Sequence, residues 1–376
     1  MVRNYVKGVF LHMKKFLSSL FLLGLLCVAL FGCSNDADVA APTKLPADET
    51  TEQQGSEIDP NALLQSLKSQ GQLVPIGEIP IPKDNPMNPE VLKLGQALYF
   101  DPRLSGNNQV SCATCHDPNL GYGDNRPTLK KIDGTAGARN SPTIINSGYY
   151  KTNFWDGRAA SLEEQALGPI QNPNEMNQTL KELVRELKGI QGYDKLFNAA
   201  FEDGITEQNI AKSLAAFERL ITVKDTPLDR FLEGDTDALS QQEIRGLDLF
   251  TGKAMCITCH NGSNLSDNNY YNIGLNTEDE GRFSVTKDER DLGRIRTPSL
   301  YGITHTAPYM SNGSIATLEE VIDYYDRGGD DHPNKSFFMK KFMNPIGLTE
   351  KEKSDLLAFL KTLGGKPPVY TKPELP

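Results

Sequence analysis

The stretch Ser111–His116, SCATCH, returns 144 residues later as Met255–His260, MCITCH. The chain has 376 residues but only six cysteines and five histidines, so the two stretches hold four of the cysteines and two of the histidines. The other two cysteines, Cys27 and Cys33, lie near the N-terminus, which leaves none for a structural disulfide. The repeated Cys-x-x-Cys-His pattern is therefore the feature from which the fold has to be argued.

A Cys-x-x-Cys pair alone fits a redox dithiol or half of a zinc site. The histidine that follows each pair favours another chemistry, because Cys-x-x-Cys-His is the attachment signal of c-type haem. Two thioether bonds hold the porphyrin, and the histidine binds the iron. The sequence therefore predicts two covalent haem c groups. Their attachment residues are Cys112, Cys115 and His116 for the first, and Cys256, Cys259 and His260 for the second.

The sequence around the two motifs also repeats. Pro142 in RNSPT and Pro298 in RTPSL are 156 residues apart, and the same spacing relates SLEE at 161 to TLEE at 317. Since the haem motifs are only 144 residues apart, the second copy needs a dozen additional residues. We place them in the polar stretch 276–291, and we place the boundary between the copies in the breaker-rich segment 226–235.

Helical periodicity dominates the rest of the chain, and no stretch alternates long enough to indicate an extensive sheet. Several of the amphipathic segments begin with Ser or Thr and carry Glu three residues later, as a capping box requires. The predicted fold is mainly α, with two tandem, duplicated haem domains of the class I cytochrome c type at 61–230 and 231–376. The predicted helices are 161–167, 180–187, 240–250, 318–325 and 349–363.

The N-terminus predicts an exported protein. Two lysines precede an apolar run at 16–31 that is short for a membrane-spanning helix. Leu30-Phe31-Gly32-Cys33 resembles a lipoprotein cleavage box, so we expect a signal peptide at 1–33 and a lipid on Cys33, with ordinary signal cleavage as the alternative. Residues 34–60 have the composition of a flexible tether. These features predict a periplasmic protein that contacts the membrane only through its lipid.

The charge of the chain narrows the range of partners. The formal net charge is −10, and the acidic residues are spread over the predicted helices. This balance argues against a nucleic-acid partner. Small molecules and basic proteins remain possible partners.

The ordered motifs resemble those of the bacterial dihaem cytochrome c peroxidase and MauG superfamily over nearly all the predicted mature chain. This resemblance implies an enzyme that reduces hydrogen peroxide at the first haem, with electrons that enter at the second haem from a small cytochrome c or cupredoxin. The alternatives are a MauG-like oxidase of a partner protein and a non-catalytic dihaem electron carrier. A homodimer is possible in such a family. The matching motifs are LGQALYFD, SCATCHDP, RNSPT, FWDGRA, NPNEM, MCITCH, RTPSL, TAPYM and TLEEVIDYYDRGG.

For the first haem, the resemblance assigns the pocket residues Gln165 and Glu175, with Pro169 between them. Many peroxidases of the family block this iron with a histidine, but no histidine occurs at 121–138, so the resemblance implies an open site. A carboxylate beside an open iron can move a proton between the two peroxide oxygens. The side-chain amide of Gln165 can donate to or accept from bound peroxide. A solvated surface acid is the alternative for Glu175.

For the second haem, the resemblance places Tyr325 as the second iron ligand. Its counterpart at the spacing of 156 residues is Pro169, whose side chain cannot bind iron. The internal repeat thus predicts one closed and one open iron, and a phenolate ligand favours MauG-like chemistry. Met310 and His305 are alternative ligands, and packing in the helix core is the alternative role for Tyr324 or Tyr325.

Two further assignments come from the resemblance. Trp155, the only tryptophan, lies in FWDGRA and would relay electrons between the haems. Core packing is the alternative for this side chain. Asn140, Thr306 and Pro308 would give oxygen ligands to a calcium ion, together with several waters.

Overall fold

The computed structural model describes residues 57–275, 277–333, 335, 339–340 and 343–376. The predicted signal peptide at 1–33 and most of the predicted tether at 34–60 lie outside the described residues. Within the described part, no helix combines the length and the apolar character needed to cross a membrane. Residues 57–376 belong to one compact unit with a continuous hydrophobic core.

Helices supply nearly all the regular structure of the described residues, which confirms the mainly α fold. A single two-stranded antiparallel pair joins β1 (Tyr270–Tyr271) to β2 (Ile295–Arg296). The helices in chain order are α1 (Pro60–Gln70), α2 (Pro89–Tyr99), α3 (Cys112–Cys115), α4 (Leu162–Gln171), α5 (Leu180–Lys188), α6 (Gln191–Ala200), α7 (Glu207–Glu218), α8 (Pro227–Glu233), α9 (Gln241–Thr251), α10 (Phe283–Thr286), α11 (Leu318–Asp326) and α12 (Glu350–Thr362).

Side-chain caps explain where the predicted helices begin. The Ser161 hydroxyl accepts from the Glu164 amide at the start of α4, and the Thr317 hydroxyl accepts from the Glu320 amide at the start of α11. The same arrangement begins α9 and α12. Each cap satisfies one of the amides that the first helical turn leaves without a partner. The five predicted helices therefore start within a residue of their expected positions, although α4 continues through Pro169 to Gln171.

The two halves repeat one close helix crossing. In the first half α2 crosses α7, and a Cβ atom at Gly95 would lie 2.0 Å from the Ser213 carbonyl oxygen. In the second half α9 crosses α12, and a Cβ atom at Gly246 would lie 2.1 Å from the Asp355 carbonyl oxygen. Only glycine allows the backbones to approach so closely. The matched crossings confirm the duplicated haem domains.

The turn before α4 repeats as well. Asn153 pairs with Ala159 in an isolated antiparallel bridge, and Tyr309 pairs with Ile315 in the same way 156 residues later. The stretch 276–291, where we placed the additional residues of the second copy, contains the short helix α10.

The breaker-rich segment 226–235 forms a helix rather than a loop. Thr226 caps α8 in a capping box, Pro227 occupies its first turn, and Gly234 ends it at φ 120°. Proline at the start and glycine after the end are helix signals as much as breakers. The predicted domain boundary, between residues 230 and 231, therefore falls inside α8.

Candidate haem sites

The two motif histidines are held in the same way. Nδ1 of His116 lies 3.1 Å from the carbonyl oxygen of Tyr122, and Nδ1 of His260 lies 3.0 Å from that of Leu265. A carbonyl oxygen can only accept, so Nδ1 carries the hydrogen and Nε2 keeps its lone pair for a metal. Burial lowers the pKa of both imidazoles, which favours the neutral form that iron binds.

The motif cysteines fit attachment to haem better than a zinc site or a redox pair. None of the four forms a disulfide, and burial raises the pKa of each thiol, so the thiolate is disfavoured. Among the described residues, no group of three or more His, Cys, Asp or Glu side chains could hold a metal ion. The first pair forms the short helix α3, and the second forms a 3₁₀ turn.

A largely apolar cavity of about 280 Å³ lies against the second motif. Cys256, Cys259 and His260 line it from one side, and Tyr325 on α11 lines it as well. An apolar cavity that contains both cysteines and the iron-binding nitrogen fits a covalently bound porphyrin.

The structure separates the two tyrosines of α11. Tyr324 is only 1% exposed, and its hydroxyl donates to the carbonyl oxygen of Ile273 at 3.1 Å. Tyr325 lines the cavity, and burial raises the pKa of its phenol. A phenolate at such a site needs a bound cation. Tyr324 is thus the core residue, and Tyr325 is the one that faces the haem cavity.

The other proposed ligands of the second iron lie in different places. Met310 lines the cavity, whereas His305 is exposed and its Nε2 lies 3.2 Å from the Gly365 carbonyl oxygen. Met339 and Met343 also line the cavity, and the sequence analysis missed them. Their spacing of four residues, one turn of a helix, was the signal that could have found them.

Gln165 and Glu175, the two residues predicted for the first haem, lie on α4 and on the turn after it. The Met176 amide donates to the Pro169 carbonyl oxygen at 3.2 Å, which folds the turn back onto the helix. This brings Glu175 alongside α4, which carries Gln165. The buried Oε1 atom of Gln165 has no hydrogen-bond partner among the described residues. A buried acceptor without a partner is costly, so this atom marks a place for a ligand.

The carboxyl of Glu175 is partly buried and hydrogen-bonded. Asn172 donates to its Oε1 at 2.6 Å. Burial raises the pKa of Glu175, although the charge of Arg158 and the bond from Asn172 oppose the rise. Its charge in turn raises the pKa of the Cys115 thiol, so the carboxyl lies near the first motif.

Trp155 connects the two halves. Its Nε1 donates to the Asn140 carbonyl oxygen at 2.9 Å, and its own carbonyl accepts from the Arg296 amide at 2.8 Å. Trp155 and Asn140 both line the cavity of the second motif, as do Thr306 and Pro308. The three predicted calcium ligands thus line the same cavity.

Two charged groups near these sites, one half-buried and one buried, were not predicted from the sequence. Arg139 pairs with Asp156 and with Asp279 of the inserted stretch, both at 2.6 Å. Glu218, at the end of α7, is 5% exposed, and its Oε2 has no hydrogen-bond partner among the described residues. Burial raises the pKa of Glu218 to about 8. Its charge raises the pKa of the Cys112 thiol, so Glu218 lies beside the first motif.

Two matched Cys-x-x-Cys-His sites, each with a buried, neutral histidine on a repeated helical half, define a dihaem c-type cytochrome. Residues 89–237 match the family model of di-haem cytochrome c peroxidase, and residues 244–364 match that of cytochrome c. The chain belongs to the dihaem cytochrome c peroxidase and MauG superfamily, as the motifs predicted, and it carries two haem c groups.

Relatives named MauG and relatives named cytochrome-c peroxidase are both similar to this chain over most of their length. The chain is 40% identical to the methylamine utilization protein MauG of Methylorubrum extorquens, over 79% of this chain and 85% of that protein. It is 36% identical to the cytochrome-c peroxidase IdrP1 of Pseudomonas sp. strain SCT, over 81% and 89%. The crystal structure of a MauG-like protein associated with microbial copper homeostasis matches with a TM-score of 0.70 at 36% identity, over 77% and 93%.

Proposed function

We propose that this protein is a dihaem c-type peroxidase that reduces hydrogen peroxide to water with electrons from a small cytochrome c or cupredoxin. The asymmetry of the two sites carries the proposal. In the first half, the partly buried acid Glu175 and the amide oxygen of Gln165, which has no partner among the described residues, support it. In the second half, the phenol of Tyr325 lines the cavity. When bound, the haems supply an iron that binds peroxide and a second iron that passes electrons to it.

The pocket residues of the first half have complementary roles. Glu175 accepts the proton of the peroxide oxygen that lies nearer the iron and returns it to the other oxygen, which leaves as water. Gln165 orients the peroxide through its neutral amide. Two electrons and two protons complete the reduction of one peroxide to two waters. A simple electron carrier would need neither residue.

Trp155 is the proposed electron relay between the haems. Its ring donates to the Asn140 carbonyl oxygen, and its backbone carbonyl accepts from the Arg296 amide of the second half. Replacing it with phenylalanine should slow the transfer of electrons from a photoreduced second haem to the first. An unchanged transfer rate would remove Trp155 from the path.

Calcium is proposed in the cavity that Asn140, Thr306 and Pro308 line, since hard oxygen donors suit this ion. The test is a calcium titration of chelator-treated protein, followed by the absorption spectrum of both haems. A spectrum that ignores chelation and calcium would contradict the site.

The protein is also proposed to be periplasmic and anchored by a lipid on Cys33. Cell fractionation of the native chain and of Cys33→Ala tests this. The native protein should remain with the membrane, and the variant should appear in the periplasmic fraction. Equal release of both would leave export without an anchor.

The direct test of the proposed activity is steady-state oxidation of a reduced small cytochrome c by hydrogen peroxide. The expected stoichiometry is two cytochromes per peroxide, and Glu175→Gln should lose the turnover. Peroxide consumption that does not oxidise the cytochrome would contradict the peroxidase.

The second candidate is a MauG-like oxidase of a partner protein. Tyr325 at the cavity and the absence of histidine from 121–138 favour it. It predicts slow cytochrome turnover together with a long-lived oxidised state after one equivalent of peroxide. Rapid return of the ferric spectrum would argue for the peroxidase instead.

A further inference from the structure

The segment after α12 returns across the first half of the molecule. We name residues 364–376 the strap; they have no regular secondary structure. The Tyr122 hydroxyl donates to the Pro368 carbonyl oxygen at 2.6 Å, and Gln96 Nε2 donates to that of Thr371 at 3.0 Å. Arg103 donates to the Pro376 carbonyl oxygen at 2.9 Å. A segment that belongs to the second half in sequence thus packs on the first.

The strap contacts one of the two residues that hold His116 directly, and it reaches the other through Phe217. Tyr122 accepts from Nδ1 of His116 through its backbone carbonyl, and its hydroxyl binds the strap. Tyr99 donates to the backbone carbonyl of His116. The Tyr99 ring packs 5.0 Å from Phe217, whose ring lies 5.1 Å from Tyr370 of the strap. One residue, Tyr122, therefore separates the His116 ring from the strap. Two residues, Tyr99 and Phe217, separate the His116 backbone from it.

Tyr122 needs such support. It is fully buried, and its φ of 57° lies in the left-handed region, a backbone conformation that residues other than glycine and asparagine rarely adopt. Burial raises the pKa of its phenol to about 12, so the hydroxyl remains a donor. The bond to Pro368 fixes the far end of the side chain and so restrains the carbonyl that holds His116.

The second half has a corresponding turn, one residue shorter and without a bond to the strap. Leu265 adopts φ 48°, and its carbonyl oxygen accepts from Nδ1 of His260. Leucine has no hydroxyl to bind a second segment. The two histidines thus have matched first partners but different support behind them.

We propose that the strap, acting through Tyr122, positions His116 and thereby sets the electronic properties of the first haem alone. The hydrogen bond from Nδ1 controls how strongly the imidazole donates to iron, so its geometry affects the spectrum and the potential of the haem. Tyr122 is a positioning residue, and the inference holds for either peroxide chemistry proposed above.

The test is resonance Raman spectroscopy and spectroelectrochemistry on the full, haem-loaded Tyr122→Phe variant. This change removes one hydroxyl and keeps the ring. The iron–histidine stretching band of the first haem in its ferrous state and the midpoint potential of that haem should shift, while the midpoint potential of the second haem stays at the wild-type value. Tyr370→Ala, which loosens the strap without changing Tyr122, should shift the first haem in the same direction.

The matched control is Tyr149→Phe. Its hydroxyl donates to the Gly77 carbonyl oxygen at 2.8 Å, so it loses the same kind of bond at a place that does not hold His116. It should leave both haems unchanged. The proposal is overturned if Tyr122→Phe and Tyr370→Ala leave the first haem as in wild type, or if the second haem shifts equally. Should Tyr122→Phe fail to fold, Tyr370→Ala alone decides between these outcomes.

Discussion

The two halves share a haem-attachment framework and differ in what surrounds it. Each half has the same glycine helix crossing and the same bond from histidine to a backbone carbonyl. The residues at corresponding positions differ between the halves. Pro169 of the first half corresponds to Tyr325 of the second, Glu218 to Leu360, and Tyr122 to Leu265.

The pairing of Glu218 with Leu360 follows from the crossings. Phe217 packs against Gly95, and Phe359 packs against Gly246, so the residues that follow the two phenylalanines correspond. Leu360 lines the second cavity. Duplication thus gave two similar frameworks, and the residues at several matched positions differ between them.

The largest effect should come from removing the acid of the first half. Glu175→Gln is expected to lower kcat/KM for peroxide by about 10²–10⁴-fold, the usual contribution of general acid–base catalysis. Glu202→Gln, which changes an exposed glutamate, is the control and should leave the rate unchanged. Equal rates for both variants would remove Glu175 from the mechanism.

The pH dependence tests the same residue in another way. Only the carboxylate can accept a proton, and burial raises the pKa of Glu175. The peroxidase rate should therefore fall as the pH is lowered through a value above that of an ordinary glutamate. Arg158 lowers this pKa, so Arg158→Gln should move the acidic limb to higher pH. If the acidic limb of the pH–rate profile does not move in Arg158→Gln, a group other than Glu175 causes it.

The next effect concerns the second half. Tyr325→Phe removes the hydroxyl from the cavity and should change the low-spin signal of the second haem in its electron paramagnetic resonance spectrum. The control is Tyr324→Phe. The hydroxyl of Tyr324 donates to the Ile273 carbonyl oxygen, so its removal should leave the signal of the second haem intact. If Met339 or Met343 is the true ligand, both variants will retain the wild-type signal.

The smallest effect should be on stability. Folded Glu218 keeps its proton up to a pKa of about 8, whereas the unfolded chain releases it near 4.5. The folded state therefore binds more protons between these values, and stability falls as the pH rises through them, by at most about 1.4 kcal/mol per pH unit. The positive charge of Arg219 opposes this shift, and Glu163 adds to it.

Glu218→Gln should remove that slope. Denaturant unfolding of the variant and of wild type between pH 5 and about 8 checks it. Glu202→Gln should keep the wild-type slope. A slope that survives in Glu218→Gln would assign the pH dependence to another residue.

The sequence predicted what is encoded locally. The haem attachments, the repeat and the starts of five helices follow from short motifs and from caps such as Ser161 and Thr317. Tyr122 could not be predicted in this way, because its partner Pro368 lies 246 residues further along the chain. Nothing in the local sequence marks Glu218, at the end of α7, as buried, because its burial follows from tertiary packing.

The central claim is that the first iron is open and the second is closed by a protein ligand. Electron paramagnetic resonance of the fully oxidised protein, before and after one equivalent of peroxide, tests it most directly. We predict one high-spin and one low-spin ferric signal, and a change of the high-spin signal on addition of peroxide. Loss of both signals would favour the MauG-like oxidase. Two low-spin signals that ignore peroxide would contradict the open first site.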